Sequence, residues 1–328
     1  MSDPSGKIGV ALYGSNGHQV QKRLVGHPRA LLVAVAEMER AQLPAELRDR
    51  ADIAHYDTLE PLLADPRVEL VSLCSPRRRD QARHACVCLL AGKHVYAEKP
   101  CALTEEDLDA LIATARRTGR RFHEMAGTAF EQPYLAMRQI VKSGTLGDIV
   151  QVFAQKSYPY HDRRPQDEDV DGGLTAQAGV HALRLVEHVA GQRITSIQAF
   201  ETRRGNPVRG GELRMAASLL LRLQSGGVAS VVVNYLNQAG MGRWGNEHLR
   251  IFGTRGFVEA TDDGARTRLV VGDKDLGPLD TAGPAPDYFD RYLDSLRGGA
   301  PMPLSVEDEL HPTRMTLRAR QSARRNDE

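Results

Sequence analysis

Lys99 is the residue of this sequence best placed to do chemistry. It stands between Glu98 and Pro100, directly after the short apolar run Lys93–Ala97. A lysine there lies at the carboxyl end of a strand, where an open parallel sheet presents its ligands. An ammonium in that position donates hydrogen bonds and stabilises a developing alkoxide, and burial lowers its pKa toward values useful for proton transfer. Glu98 is placed to orient the site, and Pro100 restricts Lys99 to extended conformations. An exposed lysine ahead of a helix is the plain alternative.

A second constellation opens the chain. The apolar run Ile8–Leu12 closes on Gly14-Ser15-Asn16-Gly17. In the dinucleotide fingerprint G-x-G-x-x-G the glycines let backbone approach a pyrophosphate, which rests on the N-terminus of the following helix. Gly14 and Gly17 have the spacing of the second and third glycines. Leu12 holds the first position, so the motif is incomplete, and a plain tight turn has the same look. Its context adds weight: the turn follows a strand and precedes helix signals that run through Arg23. Glu37 ends the second strand, 23 residues after Gly14. A carboxylate there accepts hydrogen bonds from the adenosine ribose and repels a 2′-phosphate, which favours NAD over NADP. Arg40 weakens that repulsion, and a surface glutamate is the bland reading.

The elements that must position these residues alternate. Leu31–Ala36 and Val68–Cys74 read as further buried strands, Ser75-Pro76 ends the latter, and a helix from about Asp80 to Leu90 stops at Gly92. Thr104 followed by Glu105-Glu106-Asp107 reads as a helix N-cap with an acidic first turn. Strands alternating with helices predict a right-handed parallel sheet over residues 1–126. Beyond Ala126 the pattern changes. Pro133–Ser143 reads as helix, and Ile149–Lys156, Ile194–Thr202, Leu213–Leu223, Val228–Leu236, His248–Phe252, Gly256–Ala260 and Arg268–Val271 read as strands joined by glycine turns. Consecutive strands predict a mostly antiparallel sheet in an α+β domain over 127–328, closed by a helix over about 305–323 and frayed from Arg324.

Composition narrows the function classes. The chain has 328 residues, about two domains on length, with 41% hydrophobic and 26% charged residues. Net charge is +1, so no basic field exists for nucleic acid or an anionic membrane. Four cysteines, all in the first third, lack the pairing of a zinc site and suit reduced thiols. Residues 1–6 have no apolar core of a leader, and no apolar run reaches the ~18 residues of a membrane span. A cytoplasmic protein is expected.

The run Ala91-Gly92-Lys93-His94-Val95 followed by Glu98-Lys99-Pro100 resembles the hallmark of the glucose–fructose oxidoreductase / inositol dehydrogenase / rhizopine-catabolism (Gfo/Idh/MocA) family. The resemblance covers nearly the whole chain. It implies an N-terminal Rossmann domain and a nicotinamide-dependent oxidoreductase acting on a polyol, sugar or related compound. It places Lys99 and Glu98 beside the nicotinamide, and makes Ser75-Pro76 the loop along the nicotinamide side. The family commonly continues Pro-Asn and then histidine, whereas this chain has Arg77-Arg78-Arg79-Asp80-Gln81. The family also has a glycine run and then an aspartate four residues before a histidine. Gly172-Gly173 and His181 match; the aspartate position is Gln177. On a helix, residues four apart share a face, so both side chains would meet one substrate. His181 is the implied base. Gln177 binds a hydroxyl but neither accepts a proton nor steadies an imidazolium. The strand and loop Lys156–Pro165 imply substrate contacts: Lys156 and Tyr158 alternate onto one face, and Arg163 or Arg164 suits a carboxylate or phosphate, a solvated loop being the alternative for the arginines. Asp167, Glu168, Asp169 and Asp171 near His161 fit no metal spacing, and no metal is expected.

Three function classes remain open: an NAD-linked dehydrogenase or reductase; a redox-neutral enzyme that uses NAD transiently to cleave or eliminate; and a dinucleotide-sensing regulator without chemistry, against which Lys99 and His181 count. A small-molecule substrate is expected in each enzymatic case. Family members pair the open sheet face between subunits, which implies a homodimer or homotetramer.

Overall fold

The computed structural model describes residues 6–327. The readings of residues 1–5 and of Glu328 fall outside the described residues. The chain divides into two compact units. The first holds residues up to Met125 together with Asp169–Asp171 and Phe289–Leu310; the second holds Ala126–Glu168, Gly172–Tyr288 and the chain from His311 onward.

The first unit is built on six strands, β1 (Ile8–Tyr13), β2 (Ala30–Ala36), β3 (Ala54–Tyr56), β4 (Leu70–Leu73), β5 (His94–Ala97) and β6 (Phe122–Glu124). They pair in parallel in the order β3-β2-β1-β4-β5-β6. Every residue of β1 and β4 is buried, which is why these strands are continuous apolar runs rather than alternations. Helices α1 (Ala45–Arg48), α2 (Leu59–Ala64), α3 (Gln81–Leu90) and α4 (Glu105–Thr118) connect them. α4 begins as its sequence dictates: Thr104 Oγ1 accepts from Asp107 N at 3.1 Å, and three acidic residues fill the first turn. The result is a Rossmann-like parallel sheet.

One expected element is absent. Residues after Gly17 form turns rather than a helix, with Arg23 N bonded to Val20 O at 2.9 Å and Leu24 N to Gln21 O at 3.3 Å. The segment from Val20 stops within two turns at Gly26, where φ is +62°, so too few residues remain to repay helix nucleation. Gln19 holds it down: its amide donates to Tyr13 O, Gly14 O and Ser72 O at 2.9–3.2 Å.

In the second unit α5 (Tyr134–Lys142) precedes an eight-stranded sheet made from β7 (Ile149–Ser157), β8 (Ile194–Thr202), β9 (Ala216–Leu223), β10 (Val228–Asn234), β11 (Asn246–Gly253), β12 (Gly256–Thr261), β13 (Arg266–Val271) and β14 (Lys274–Gly277). The order is β14-β13-β12-β11-β7-β10-β9-β8, antiparallel except for the parallel pair β7·β10. β9 alternates buried and exposed residues, as a sheet with one covered face must. Between β7 and β8 in sequence lie α6 (Glu168–Asp171), whose last three residues belong to the first unit, and α7 (Gly173–Gln177) and α8 (Gly179–Arg184) of the second. Two helices complete the chain, α9 (Tyr288–Leu296) and α10 (Val306–Asp327). In the first unit Tyr292 of α9 donates to Val95 O at 3.0 Å and Arg121 O at 2.7 Å, tying it to β5. Ser305 Oγ accepts from Asp308 N at 3.1 Å, the expected cap of α10. That helix continues through Arg324 to Asp327 instead of fraying there.

Candidate active site

In the first unit the glycine turn joins β1 and sits against the end of β4. Gly14 has φ +70°, and a Cβ there would lie 2.1 Å from Cys74 O. Gly17 has φ +128°, and its Cβ would meet Glu98 Cγ at 2.5 Å. Only glycine fits either place. Asn16 N donates to Cys74 O at 3.3 Å, and its side-chain amide donates to Pro76 O at 3.2 Å and Val170 O at 2.6 Å. Ser15 Oγ accepts from Gln42 at 3.1 Å.

Lys99 follows β5 and is 2% exposed, with its ammonium 3.8 Å from Glu98 Oε1. Its neighbours are pinned from both sides. The Gln81 amide donates to Glu98 O, and Glu124 Oε1 accepts from Cys101 N at 2.6 Å. Glu124 N in turn donates to Glu309. Glu98 Oε2 accepts from His18 N at 2.7 Å and faces His18 Nδ1 at 3.1 Å. Burial pushes the Glu98 carboxyl up, but the His18 hydrogen bond and the Lys99, His18 and Arg78 charges outweigh it and hold it at about 2. Glu98 is therefore a carboxylate that anchors the glycine turn and balances Lys99. Ser75 is occupied inward: its N–H donates to Gln81 Oε1 and its hydroxyl meets His84 Nδ1, both at 2.9 Å. Pro76 remains exposed.

These residues suit a dinucleotide. The turn that tolerates no Cβ is one observation; Arg78 is another. This arginine is 2% exposed, bonds Asn16 O through Nη2 at 2.5 Å, and keeps Nε and Nη1 buried without a partner. A cation with donors to spare beside the glycine turn suits an anionic group where no helix N-terminus is present. Ser15 and Glu37 line a cleft of about 520 Å³ with Met38, Glu39, Gln42, Tyr56 and Asp57. Glu37 adopts φ +52°, a strained conformation that turns the chain at the end of β2. Arg40 is not among the lining residues. Gly14, Ser15, Asn16, Gly17, Arg78 and Glu37 are the residues that would hold a nicotinamide dinucleotide, and Lys99 with Glu98 follow β5. Arg78, Gln81 and Glu124 escaped the sequence reading because no local spacing marks them.

The second unit carries the other half of the predicted set. The helix expected to hold Gln177 and His181 is interrupted for one residue, Ala178, between α7 and α8. His181 N bonds Ala178 O at 3.2 Å, a tighter i→i+3 step, and Gly179 is a weak helix former. α7 is anchored from behind by Thr175, whose hydroxyl donates to the half-buried Glu201. Gln177 Oε1 accepts from Tyr235 OH at 3.4 Å. Tyr235 also lies under the Arg164 guanidinium, 3.7 Å from Cζ to ring centroid. Tyr158 gathers the rest: its ring stands edge-on to His181 at 6.5 Å, and Lys156 Nζ lies 4.8 Å from its centroid. Lys156 also pairs with Glu247. Burial pushes the Glu247 carboxyl up, against the Lys156 ammonium that favours its charged form. Tyr158 thus groups Lys156 with His181, and Tyr235 groups Arg164 with Gln177, while Arg163 stays exposed. Of the acidic run, Glu168 pairs with Arg320 and Asp169 with Arg79. Among the described residues no group of three metal-ligating side chains comes together.

Residues 6–125 match the oxidoreductase family with an NAD-binding Rossmann fold, and residues 134–259 match the GFO/IDH/MocA C-terminal domain. The chain belongs to the GFO/IDH/MocA family. It is 28% identical over 263 residues to the 1-carboxy-3-chloro-3,4-dihydroxycyclohexa-1,5-diene dehydrogenase of Comamonas testosteroni, covering 76% of this chain and 65% of that protein. It is 24% identical over 320 residues to the myo-inositol 2-dehydrogenase of Thermotoga maritima, covering 92% and 91%. A solved oxidoreductase structure from Thermotoga maritima superposes with a TM-score of 0.87 at 24% identity, over 97% of this chain and 98% of that one. In this GFO/IDH/MocA chain Lys99 follows β5 and His181 lies in α8, the residues the sequence resemblance singles out, with Gln177 and Arg77–Arg79 as the expected departures. Among the described residues no helix is long and apolar enough to cross a membrane.

Proposed function

We propose that this protein moves a hydride between NAD and a CH–OH or C=O carbon of a sugar, cyclic polyol or related small metabolite. The observation that carries the reading is Lys99, buried at the end of β5 and clamped between the Gln81 and Glu124 hydrogen bonds. The dinucleotide, when bound, would accept a hydride from a CH–OH carbon in its oxidised form or supply one to a C=O carbon in its reduced form. Lys99 donates to the substrate oxygen and steadies its developing charge. His181 takes or returns the hydroxyl proton. Gln177, an amide held by Tyr235, contributes binding but no proton transfer. NAD is preferred to NADP on the strength of Glu37 and its acidic neighbours.

The test is an absorbance screen at the NADH band over cyclic polyols and sugars. Net NADH formation from one of them is the expected result. Redox-neutral turnover with retained NAD would replace the reading with transient oxidation and elimination, and cofactor binding without any turnover would replace it with a sensor.

A further inference from the structure

The loop between β10 and β11 carries Trp244, the single tryptophan of the chain, and leaves it 57% exposed. The loop is nevertheless fixed at the end of β7. Asn237 Nδ2 donates to Ser157 O at 3.1 Å and to Trp244 O at 2.9 Å, and Asn237 N donates to Tyr158 O at 3.2 Å. Pro159 bridges to Leu236. The indole lies 6.4 Å from the Tyr158 ring and 5.7 Å from the His161 ring, tilted by 44° and 32°. Tyr158 in turn stands beside His181. Rings therefore run from an exposed indole to the imidazole assigned as base, all within the second unit.

We propose that Trp244 and Tyr158 form an aromatic wall for the C–H face of a ring-shaped substrate, and that Trp244 selects cyclic polyols and pyranoses over open-chain polyols. The inference rests on the dehydrogenase reading and names its substrate class. A six-membered ring with its hydroxyls at the rim has a face of C–H bonds whose partial positive charge meets the negative face of an indole. Its hydroxyls remain available to the polar groups placed near Tyr158, namely Lys156 and His181. An open-chain polyol must freeze several torsions to present an equal face.

The lone tryptophan reports on itself. Its emission is titrated in the NAD-saturated enzyme with myo-inositol, with a pyranose sugar and with the open-chain hexitol sorbitol, while turnover is followed in parallel. The expected result is a saturable emission change with the ring compounds and none with sorbitol. Trp244→Ala should raise KM for the ring substrate about tenfold and lower kcat far less, and Trp244→Phe should restore most of the affinity. Turnover of a ring compound without an emission change would overturn the wall and leave the dehydrogenase reading standing. A ring-specific emission change without turnover would sustain the wall and overturn the dehydrogenase. Emission that follows protein dilution rather than ligand would place Trp244 in a subunit contact and overturn the wall.

Discussion

Glu37 shares its cleft with Glu39 and Asp57. Three carboxylates repel a 2′-phosphate more than one does, although in an open cleft salt screens each of them. Wild-type protein should therefore bind NAD(H) more tightly than NADP(H) by calorimetry, and equal or tighter NADP(H) binding would contradict the account of β2. Glu37→Ser should relax the preference about tenfold without reversing it, and only Glu37→Ser with Asp57→Ser should approach parity. Backbone sets a harder limit at Gly14. Gly14→Ala drives a Cβ into Cys74 O at a left-handed φ, so it should cost about 2 kcal/mol or more and lower Tm measurably. An unchanged Tm would mean that the turn is looser than described.

Strands and caps were legible wherever a local pattern carried them. The continuous apolar residues of β1 and β4 announced a buried parallel sheet, and Thr104 announced α4. The short strands β3, β6 and β14 were missed because three or four residues show no period. α9 was missed because Tyr292 earns its place through bonds to β5, far away in sequence. The turn after Gly17 was misread as helix because Gln19 and Gly26 decide it, through carbonyl contacts and a left-handed bend that no helical periodicity reveals. Lys99 and His181 stood out by motif, whereas Arg78, Gln81 and Glu124 come from separate segments of the first unit and Tyr235 from a strand end of the second. One element-scale prediction concerns Glu98, which links β5 to the glycine turn. Its folded pKa of about 2 lies below the ordinary 4.5, so its stabilising contribution is complete above about pH 4.5 and is lost as pH falls toward 2. Glu98→Gln should lower stability at neutral pH and flatten the acid limb of a denaturation series. A variant with an unchanged acid limb would remove Glu98 from that role.

For the whole molecule, the sheet of the second unit leaves Val150, Phe200, Leu220 and Val228 exposed. Apolar residues on neighbouring strands of one sheet mark a surface that favours burial. A homodimer or homotetramer is the expected assembly; a monomeric mass by light scattering at micromolar protein would contradict it. Lys99 lies in the first unit and His181 in the second, and each is proposed to take part in the chemistry. The central claim is that both handle protons rather than hold the dinucleotide. It is tested most directly by measuring turnover and NADH affinity side by side for Lys99→Ala and His181→Ala. The account predicts a fall in kcat of about 10²–10⁴-fold in each variant, with NADH affinity within about twofold of wild type. Near-normal kcat in either variant, or a loss of NADH affinity that matches the loss of turnover, would contradict it.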